Sequence, residues 1–387
     1  MVAMCAATND APTLALRDIA FYWRMTTEPG VPSPVPTFLP FAFTFDPALG
    51  LIMQERNPTV LEHLETIYRE DWNVGYLQEG HALAEAYGAD VRRFIESVLP
   101  PGDSTRILEI GCGGAYLLQH LKTAGFDVLG IDPSPVAVRE AERLGIRVIP
   151  EFYPSPALTD RVDAIFHYDV LEHVADPVSF LRAHHRELGP GGMVMIAVPD
   201  ASASIELGDI SMVIHEHLNF FDQTSLRNTV TSAGFRVVAL EKGGYGGVLY
   251  CAAVVDEAQA PPPPTGVAPF EAFTARVSEG ERRFAAFLAE ADSAGGAPGF
   301  YVPLRALPYL GSVGRHENIR FFDDDPGIHG RYFDGFAVPV ENFADLQVNP
   351  PSTIFVASTS FGRQLRERIN SEVASPPRVV TLDELLR

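Results

Sequence analysis

Three consecutive residues able to move a proton, His215, Glu216 and His217, lie among apolar and aromatic side chains in the second half of the chain. A neutral imidazole titrates near neutral pH, so a histidine here can act as a general base, and a neighbouring carboxylate can orient its ring or raise its basicity. The run also admits a metal site, although that needs a further ligand and the spacing is not His-Glu-x-x-His. A polar loop whose histidines only fill hydrogen bonds is the third interpretation.

A second group with chemical potential is the loop Glu109-x-Gly111-x-Gly113, which Asp132 follows. The residues before the loop predict a buried strand, and the glycines permit a tight turn with close approach to a ligand. A carboxylate at the position of Asp132 can accept both hydroxyls of an adenosine ribose. Tyr116 would crowd a pyrophosphate, since G-x-G-x-x-G needs its third glycine there. The loop therefore favours an adenosine-containing cofactor with a cationic amino-acid tail, which the Glu109 carboxylate suits.

This pattern resembles the S-adenosylmethionine (SAM) site of class I methyltransferases, which usually have a third glycine at the position of Ala115. The resemblance implies SAM as the cofactor. Glu151 and Phe152, after the third predicted strand, are placed to flank the adenine of SAM. Asp169, after the fourth predicted strand, is placed to line its methionine end. The expected cofactor-binding residues in this part of the chain are Glu109, Gly111, Gly113, Asp132, Pro133, Glu151, Phe152 and Asp169.

Strands and helices alternate around the loop, which predicts an α/β fold with helices on both faces of a parallel sheet. A glycine-rich segment joins the last two predicted strands as a hairpin. Five strand–helix units closed by such a hairpin resemble the Rossmann-like, seven-stranded sheet of class I methyltransferases. The predicted strands are 106–110, 127–131, 146–149, 162–167, 193–198, 235–240 and 248–255.

Proline-rich segments divide the chain into four predicted parts. The spacing of apolar residues predicts a mostly helical N-terminal lobe, whose first half is irregular or edge-strand structure. A proline linker and a long helix then lead from the SAM domain to a small C-terminal α/β domain. The predicted bounds are 1–102 for the N-terminal lobe, 103–257 for the SAM domain, 258–297 for the linker and helix, and 298–387 for the C-terminal domain.

Three segments, 169–176, 214–221 and 322–340, resemble the sugar C-methyltransferases, which alkylate nucleotide-bound deoxyketosugars. The resemblance continues from about residue 70 to the last residue given. It implies that a carbon beside a ketone loses a proton and that the resulting enolate attacks the methyl group of SAM. Such a carbon is weakly acidic, so both a base and stabilisation of the enolate are needed.

The resemblance also implies roles for individual residues. His217 matches the base, with Glu216 adjacent, and His173 matches a second histidine near the reacting carbon. His173 or His215 would stabilise the enolate oxygen. Tyr76 matches a segment that closes over SAM and substrate, and a nucleotide-sugar diphosphate needs cationic partners. The expected substrate contacts are Asn219, Phe220, Arg305, His329 and Arg331.

The chain departs from that family in its N-terminal unit, where the family binds zinc through four cysteines. The comparable residues 41–54 contain none, so we expect no metal. Two alternatives to C-methylation stay open. One is O-methylation of a sugar or secondary-metabolite hydroxyl with His217 as the base, and the other is SAM binding without catalysis. An NAD-dependent enzyme is disfavoured by Tyr116 and Glu109.

Composition limits the partners. The 387 residues carry a formal net charge of −21, which disfavours nucleic acid. No apolar run approaches the roughly 20 residues that span a membrane, and the N-terminus lacks the pattern of a signal peptide. Three scattered cysteines, Cys5, Cys112 and Cys251, predict a reducing compartment and no disulfide framework. We expect a cytoplasmic monomer or homodimer that acts on a small molecule such as a nucleotide sugar.

Overall fold

The computed structural model describes residues 12–70, 82–99, 105–244, 247–359 and 361–387. The expected cofactor contact Tyr76 lies outside these residues. None of the described helices is both long enough and apolar enough to cross a membrane.

Strands and short helices alternate through most of the described chain. The strands are β1 Thr13–Ala20, β2 Met25–Thr26, β3 Phe38–Asp46, β4 Leu51–Gln54, β5 Arg106–Ile110, β6 Asp127–Ile131, β7 Val148–Ile149, β8 Val162–Tyr168, β9 Leu188–Pro199, β10 Asn219–Phe220, β11 Phe235–Lys242, β12 Val248–Val255, β13 Gly299–Tyr301, β14 Arg320–Phe322, β15 Tyr332–Phe333, β16 Val340–Glu341, β17 Thr353–Val356 and β18 Arg378–Thr381. The helices are α1 Pro58–Glu70, α2 Ala82–Val98, α3 Tyr116–Thr123, α4 Pro135–Leu144, α5 Pro177–Ala183, α6 Ser202–Leu207, α7 Gln223–Ser232, α8 Ala268–Ala294, α9 Pro303–Ser312, α10 Phe343–Val348, α11 Gly362–Glu372 and α12 Leu382–Leu386, with 3-10 turns at Leu171–His173 and His184–Arg186.

The chain forms two compact units. The first includes Thr44–Ser202 and His217–Val267, and the second includes Thr13–Phe43, Ala203–Glu216 and Ala268–Arg387. The four-part division of the chain, with bounds at 102, 257 and 297, stays a prediction.

A seven-stranded sheet forms the centre of the first unit, in the order β11-β12-β9-β8-β5-β6-β7. The strands from β9 to β7 run parallel, and β12 runs antiparallel to both β9 and β11. The predicted Rossmann-like sheet with a terminal antiparallel hairpin is therefore confirmed. The strand order reverses direction beside β5, and ligands of open α/β sheets bind at the carboxyl ends of the strands at such a point.

Both faces of this sheet are buried, as parallel strands require. Alternate side chains point to opposite faces, so Leu108 and Ile165 join one apolar cluster while Ile107 and Phe166 join the other. The first cluster includes residues of α5 and α7, and the second includes residues of α2 and α3. The helices on either side hold the sheet rigid, so its carboxyl edge is a stable platform for a site.

The second unit contains a smaller parallel sheet of five strands, in the order β16-β14-β13-β17-β18. Its core includes Tyr301, Phe322, Ile354 and Val356, which are all fully or almost fully buried. The predicted C-terminal α/β fold is thus present.

The N-terminal region is less helical than predicted, because β1, β3 and β4 precede α1. In β3, Phe41, Phe43 and Phe45 alternate with more exposed residues, which is the two-residue period of a strand. Pro40 lies at an exposed position of this strand. The prolines indicated irregular or edge-strand structure, and a strand forms because the apolar alternation buries three phenylalanine rings.

Candidate active site

The turn between β5 and α3 has three residues in left-handed backbone conformations, Gly111 at φ 72°, Gly113 at φ 46° and Ala115 at φ 56°. Glycine adopts this region freely, whereas a residue with a Cβ pays roughly 1–2 kcal/mol. Ala115 occupies the position where class I methyltransferases usually have a third glycine. The turn therefore keeps the backbone path of the glycine loop without the third glycine.

Gly111 is required by close packing as well as by its backbone angle. A Cβ built at Gly111 would lie 2.6 Å from Cγ2 of Val170, which follows β8. The glycine loop and the segment after β8 therefore meet at van der Waals contact. This contact joins the loop to the next residues along the chain, Asp169 to His173.

Glu109 lies in β5 directly below the loop and is 3% exposed. The backbone of Leu118 hydrogen-bonds its carboxylate, but its Oε2 has no hydrogen-bond partner within the described part of the chain. Burial, with the Asp132 carboxylate as a second cause, holds the pKa of Glu109 well above its usual range. A buried acidic oxygen without a partner fits a cofactor that carries positive charge, as SAM does on its ammonium and sulfonium groups.

Asp132 directly follows β6 and is also buried. Its Oδ2 accepts a hydrogen bond from the backbone N–H of Gly113 at 2.8 Å, and its Oδ1 accepts one from that of Ser134 at 2.8 Å. Pro133 lies between Asp132 and Ser134, and the Ser134 side chain caps the N-terminus of α4. A carboxylate offers about four acceptor positions, so Asp132 keeps capacity for ribose hydroxyls while it braces the loop.

Glu151 and Phe152 follow β7, as predicted. Ser155 donates a hydrogen bond to the Glu151 carboxylate, and the guanidinium carbon of Arg69 lies 4.5 Å from the centroid of the Phe152 ring. Asp169 follows β8 with φ 51°. These positions lie at the carboxyl edge of the sheet, and their contacts with a cofactor stay predictions.

A cluster of three potential ligands, Glu172, His173 and His217, lies in the first unit. One ligand atom from each lies within 4.8 Å of the other two. His173 Nε2 is 3.7 Å from Glu172 Oε1, and the ring centroids of the two histidines are 5.2 Å apart. The family resemblance implied that His173 and His217 lie near one reacting centre, and the structure brings these two rings together.

Glu172 is the buried member of the cluster, at 2% exposure. Its Oε2 has no hydrogen-bond partner among the residues that the structure describes. Burial, together with the nearby Asp169 carboxylate, holds the pKa of Glu172 well above its usual range. Sequence reasoning missed Glu172, although it lies inside the segment 169–176 that carried the family resemblance.

Asn219 was predicted to contact substrate, and this stays a prediction; the structure shows its side chain in hydrogen bonds within the protein. Its side chain is buried, and its amide nitrogen donates to the carbonyl oxygens of Leu171 at 2.9 Å and Val174 at 2.8 Å. Its carbonyl oxygen accepts a hydrogen bond from Arg56 at 2.6 Å. Asn219 belongs to the segment after His217, and through these hydrogen bonds it fixes that segment to the turn that carries Glu172.

Arg56 supports the same junction from the segment after β4. Its guanidinium donates to the carbonyl oxygens of Gln54, Leu218 and Ala175 at 2.8, 2.7 and 2.7 Å. The N–H of Leu218 in turn donates to the carbonyl of Glu172 at 2.7 Å. Burial lowers the pKa of Arg56 to about 10. No sequence signal distinguished Arg56 from other arginines, because its role depends on contacts with distant residues.

His215 was predicted to be catalytic, and this role stays a prediction that the surroundings of His215 disfavour. The boundary between the two units falls between Glu216 and His217, so His215 belongs to the second unit. It is fully buried, its Nε2 lies 3.0 Å from the carbonyl oxygen of Leu39, and its ring packs on Phe21 and Phe41. Burial lowers its pKa to about 4. The structure therefore favours a core role for His215.

The remaining predicted residues are partly accessible. Glu216 is half-buried in the second unit, and Phe220 is half-buried in β10. Arg305 is half-buried, and burial lowers its pKa; Arg331 is exposed. Nε2 of His329 lies 2.9 Å from the carbonyl oxygen of Asp323. The role of Glu216 beside the base stays a prediction, as do the substrate contacts of the other four residues.

Comparison with known proteins agrees with the geometry of the first unit. A protein-family model described as "Methyltransferase domain" matches residues 81–240. The ubiquinone biosynthesis O-methyltransferase of Ruegeria pomeroyi is 38% identical over 100 residues, which are 24% of this chain and 40% of that protein. The protein of the same description from Methylobacterium nodulans is 27% identical over 169 residues, or 39% of this chain and 66% of that protein. The chain spans between 40% and 66% of the length of these two relatives.

Solved structures that the chain matches include the Burkholderia thailandensis 1,6-didemethyltoxoflavin-N1-methyltransferase with bound 1,6-didemethyltoxoflavin and S-adenosylhomocysteine. It is 16% identical, covers 59% of this chain and 99% of its own, and has a TM-score of 0.42.

The seven-stranded sheet, the glycine turn with its two acids and the matching family model all concern the same part of the chain. The chain contains a class I methyltransferase domain that uses SAM as its cofactor.

Proposed function

We propose that this protein transfers the methyl group of SAM to a small molecule whose nucleophilic atom is generated beside Glu172, His173 and His217. When bound, SAM supplies an electrophilic methyl group on a positively charged sulfur. Glu109, Asp132 and the glycine turn would hold it, and the three-residue cluster would promote loss of a proton from the substrate.

The observation that carries the proposal is the contact between the two halves of this site. Val170 lies against Gly111 of the glycine turn, and Glu172 and His173 follow Val170 by two and three residues. Three residues of fully extended chain span at most about 10 Å. Proton-accepting groups thus lie close to the expected cofactor. Methyl transfer requires the nucleophile in line with the sulfur–carbon bond, so the group that removes its proton must be near the methyl group.

Oxygen is the methyl acceptor that we propose first. The two relatives reported above are named O-methyltransferases. A hydroxyl proton is also more acidic than a proton on a carbon beside a ketone, so a hydroxyl needs less help from a base. C-methylation beside a ketone is the second candidate. It is supported by the five-stranded unit after residue 267, which the sugar C-methyltransferase resemblance implied and which lies outside the matched residues 81–240.

One experiment separates these candidates. The purified full-length chain is incubated with SAM carrying a carbon-13 methyl group and a panel of nucleotide ketosugars, hydroxyketones and vicinal diols. The carbon-13 chemical shift of the product distinguishes a methoxy group from a methyl group on carbon. In parallel, each ketone is incubated in deuterium oxide without SAM, because only C-methylation requires exchange at the carbon beside the ketone.

A methoxy product without deuterium exchange supports O-methylation. A carbon-bound methyl with exchange supports the second candidate. SAM binding with no transfer to any member of the panel would count against both, and would favour the alternative of SAM binding without catalysis.

A further inference from the structure

We infer that Glu172, His173 and His217 bind one divalent transition-metal ion, for which Zn²⁺ is the best match, and that this ion holds two adjacent oxygen atoms of the substrate. The substrate part of this inference rests on the proposed function, whereas the metal site does not. No metal was expected, because residues 41–54 lack the zinc cysteines of the resembled family and the run His215 to His217 needs a further ligand.

The separation of the ligand atoms suits a single ion. Metal–nitrogen and metal–oxygen bonds to Zn²⁺ are about 2.0–2.2 Å long, so two donors on one tetrahedral ion lie roughly 3.3–3.6 Å apart. The three donor atoms already lie within 4.8 Å of one another. Small rotations of the side chains would bring them to bonding distance.

The donor set also indicates the class of metal. Two imidazoles and one carboxylate form one of the donor sets of catalytic zinc sites, which keep a position open for water or substrate and can expand to five ligands. Imidazole ligands favour zinc, iron, copper or nickel over magnesium and calcium, which prefer oxygen ligands. His173 and His217 are each half-buried, so the ion would remain accessible from one side.

An independent observation points to a cation as the ligand. Glu172 is 2% exposed and its Oε2 is buried without a hydrogen-bond partner in the described residues. A buried carboxylate oxygen without a hydrogen bond is costly, and a bound cation removes that cost. The orphaned oxygen belongs to the same carboxylate whose Oε1 lies 3.7 Å from the His173 ring.

The surrounding contacts hold the ligands before any ion arrives. Asn219 is hydrogen-bonded to the turn that carries Glu172 and His173, and Arg56 is hydrogen-bonded to Asn219. Leu218, next to His217, donates its N–H to the carbonyl of Glu172. Metal sites depend on outer residues of this kind to orient their ligands, and their loss typically weakens binding by about 10- to 100-fold.

The ion gives the cluster a direct means of activating a hydroxyl. A bound metal can lower the pKa of water from 15.7 to about 7, and a bound hydroxyl is acidified in the same way. The proton passes to solvent, the oxygen electron pair forms the new bond to the methyl carbon, and the sulfur–methyl bond breaks with its electrons kept by sulfur. His217 then acts as a ligand instead of the base, and a second oxygen beside the first would complete the coordination.

Metal binding is tested on the purified full-length chain after dialysis against a chelator. Zn²⁺ is titrated by calorimetry, and Co²⁺ by visible absorption, which reports the coordinating groups. We expect one ion per chain at the site, with affinity reduced more than about tenfold in Glu172→Gln and His217→Gln. His120→Gln is the matched control, because His120 is a half-buried histidine on α3 whose ring packs on Tyr116. SAM affinity, measured in every variant, verifies that each one folds.

Equal metal affinity in the wild type and in His217→Gln would overturn the site, as would a wild type that binds no ion. Methyl transfer that continues at the full rate in metal-free protein would overturn the role of the ion while leaving the proposed function intact. A site that binds metal in protein that methylates nothing in the panel would instead remove the proposed function and the substrate part of the inference. Faster turnover of vicinal diols or hydroxyketones than of isolated alcohols is the expected substrate pattern.

Discussion

The guanidinium of Arg56 donates a 2.6 Å hydrogen bond to the side-chain oxygen of Asn219. Neither residue belongs to the ligand cluster, yet the pair ties the turn that carries Glu172 and His173 to the chain directly after His217. The cluster is thus assembled by buried hydrogen bonds between segments that are far apart in sequence.

Asn219→Ala is expected to reduce the free energy of unfolding by about 1–3 kcal/mol, because it leaves buried partners without hydrogen bonds. Asn228→Ala is the matched control, since Asn228 is also buried in the first unit and donates to the carbonyl of Leu49 at 3.0 Å. Urea unfolding should show similar losses for both. Zn²⁺ affinity and methyl transfer should fall about tenfold or more only in Asn219→Ala. Equal effects of the two substitutions would refute a positioning role for Asn219.

Asp132→Asn is expected to weaken SAM binding by about 10- to 100-fold, since hydrogen bonds to a charged group contribute about 1.5–3 kcal/mol. The amide also places N–H groups where the backbone N–H of Gly113 or Ser134 now donates. Asp127→Asn is the control, because Asp127 pairs with Arg106 at an exposed position at the start of β6. Calorimetric titration with SAM measures both. An unchanged dissociation constant in Asp132→Asn would exclude this carboxylate from the cofactor site.

Gly111→Ala is expected to lower SAM affinity, because its Cβ would lie 2.6 Å from Val170 and must displace the segment after β8. Gly145→Ala is the control for backbone strain alone, since Gly145 has φ 61° and a Cβ there would meet no atom within 4 Å. The double variant Gly111→Ala/Val170→Ala should recover part of the affinity by removing the clash. Failure of Val170→Ala to restore any binding would show that backbone strain, and not this contact, dominates.

Two buried histidines predict acid sensitivity of the fold. Burial lowers the pKa of His167 to about 3 from the ordinary 6.5, and lowers that of His184 well below its ordinary value. The unfolded chain takes up protons below about pH 6.5 that the folded chain does not bind, so stability present above that pH is lost as pH falls towards 3.

Each such histidine contributes up to about 1.4 kcal/mol per pH unit in this range. His167→Phe should therefore lose about 2 kcal/mol less stability than the wild type between pH 7 and pH 5. Urea unfolding at both pH values measures this difference, and comparison within each variant cancels the change in packing. If His167→Phe had the same pH dependence of stability as the wild type, His167 would not be the source of the acid sensitivity.

Local patterns in the sequence identified most of the seven-stranded sheet. The bounds of β5, β6 and β12 agree with the predicted strands, because buried parallel strands are short apolar runs whose ends are marked by glycine, proline and charged residues. Strands of two residues, such as β10, leave no period to detect. The alternation in β3 was present in the sequence, but its prolines obscured it.

The sequence by itself was enough to identify the SAM domain. The glycine turn and its two acids are local features, set by neighbouring residues and their backbone angles. Only the tertiary structure decided which titratable groups share a site. His215 and His217 are two residues apart, yet one lies in a phenylalanine-lined core and the other beside His173 and Glu172. Residues 172 and 217 are brought together by strand order and by the hydrogen bonds of Arg56 and Asn219. Such contacts between distant segments arise from packing of the whole unit, which no local pattern records.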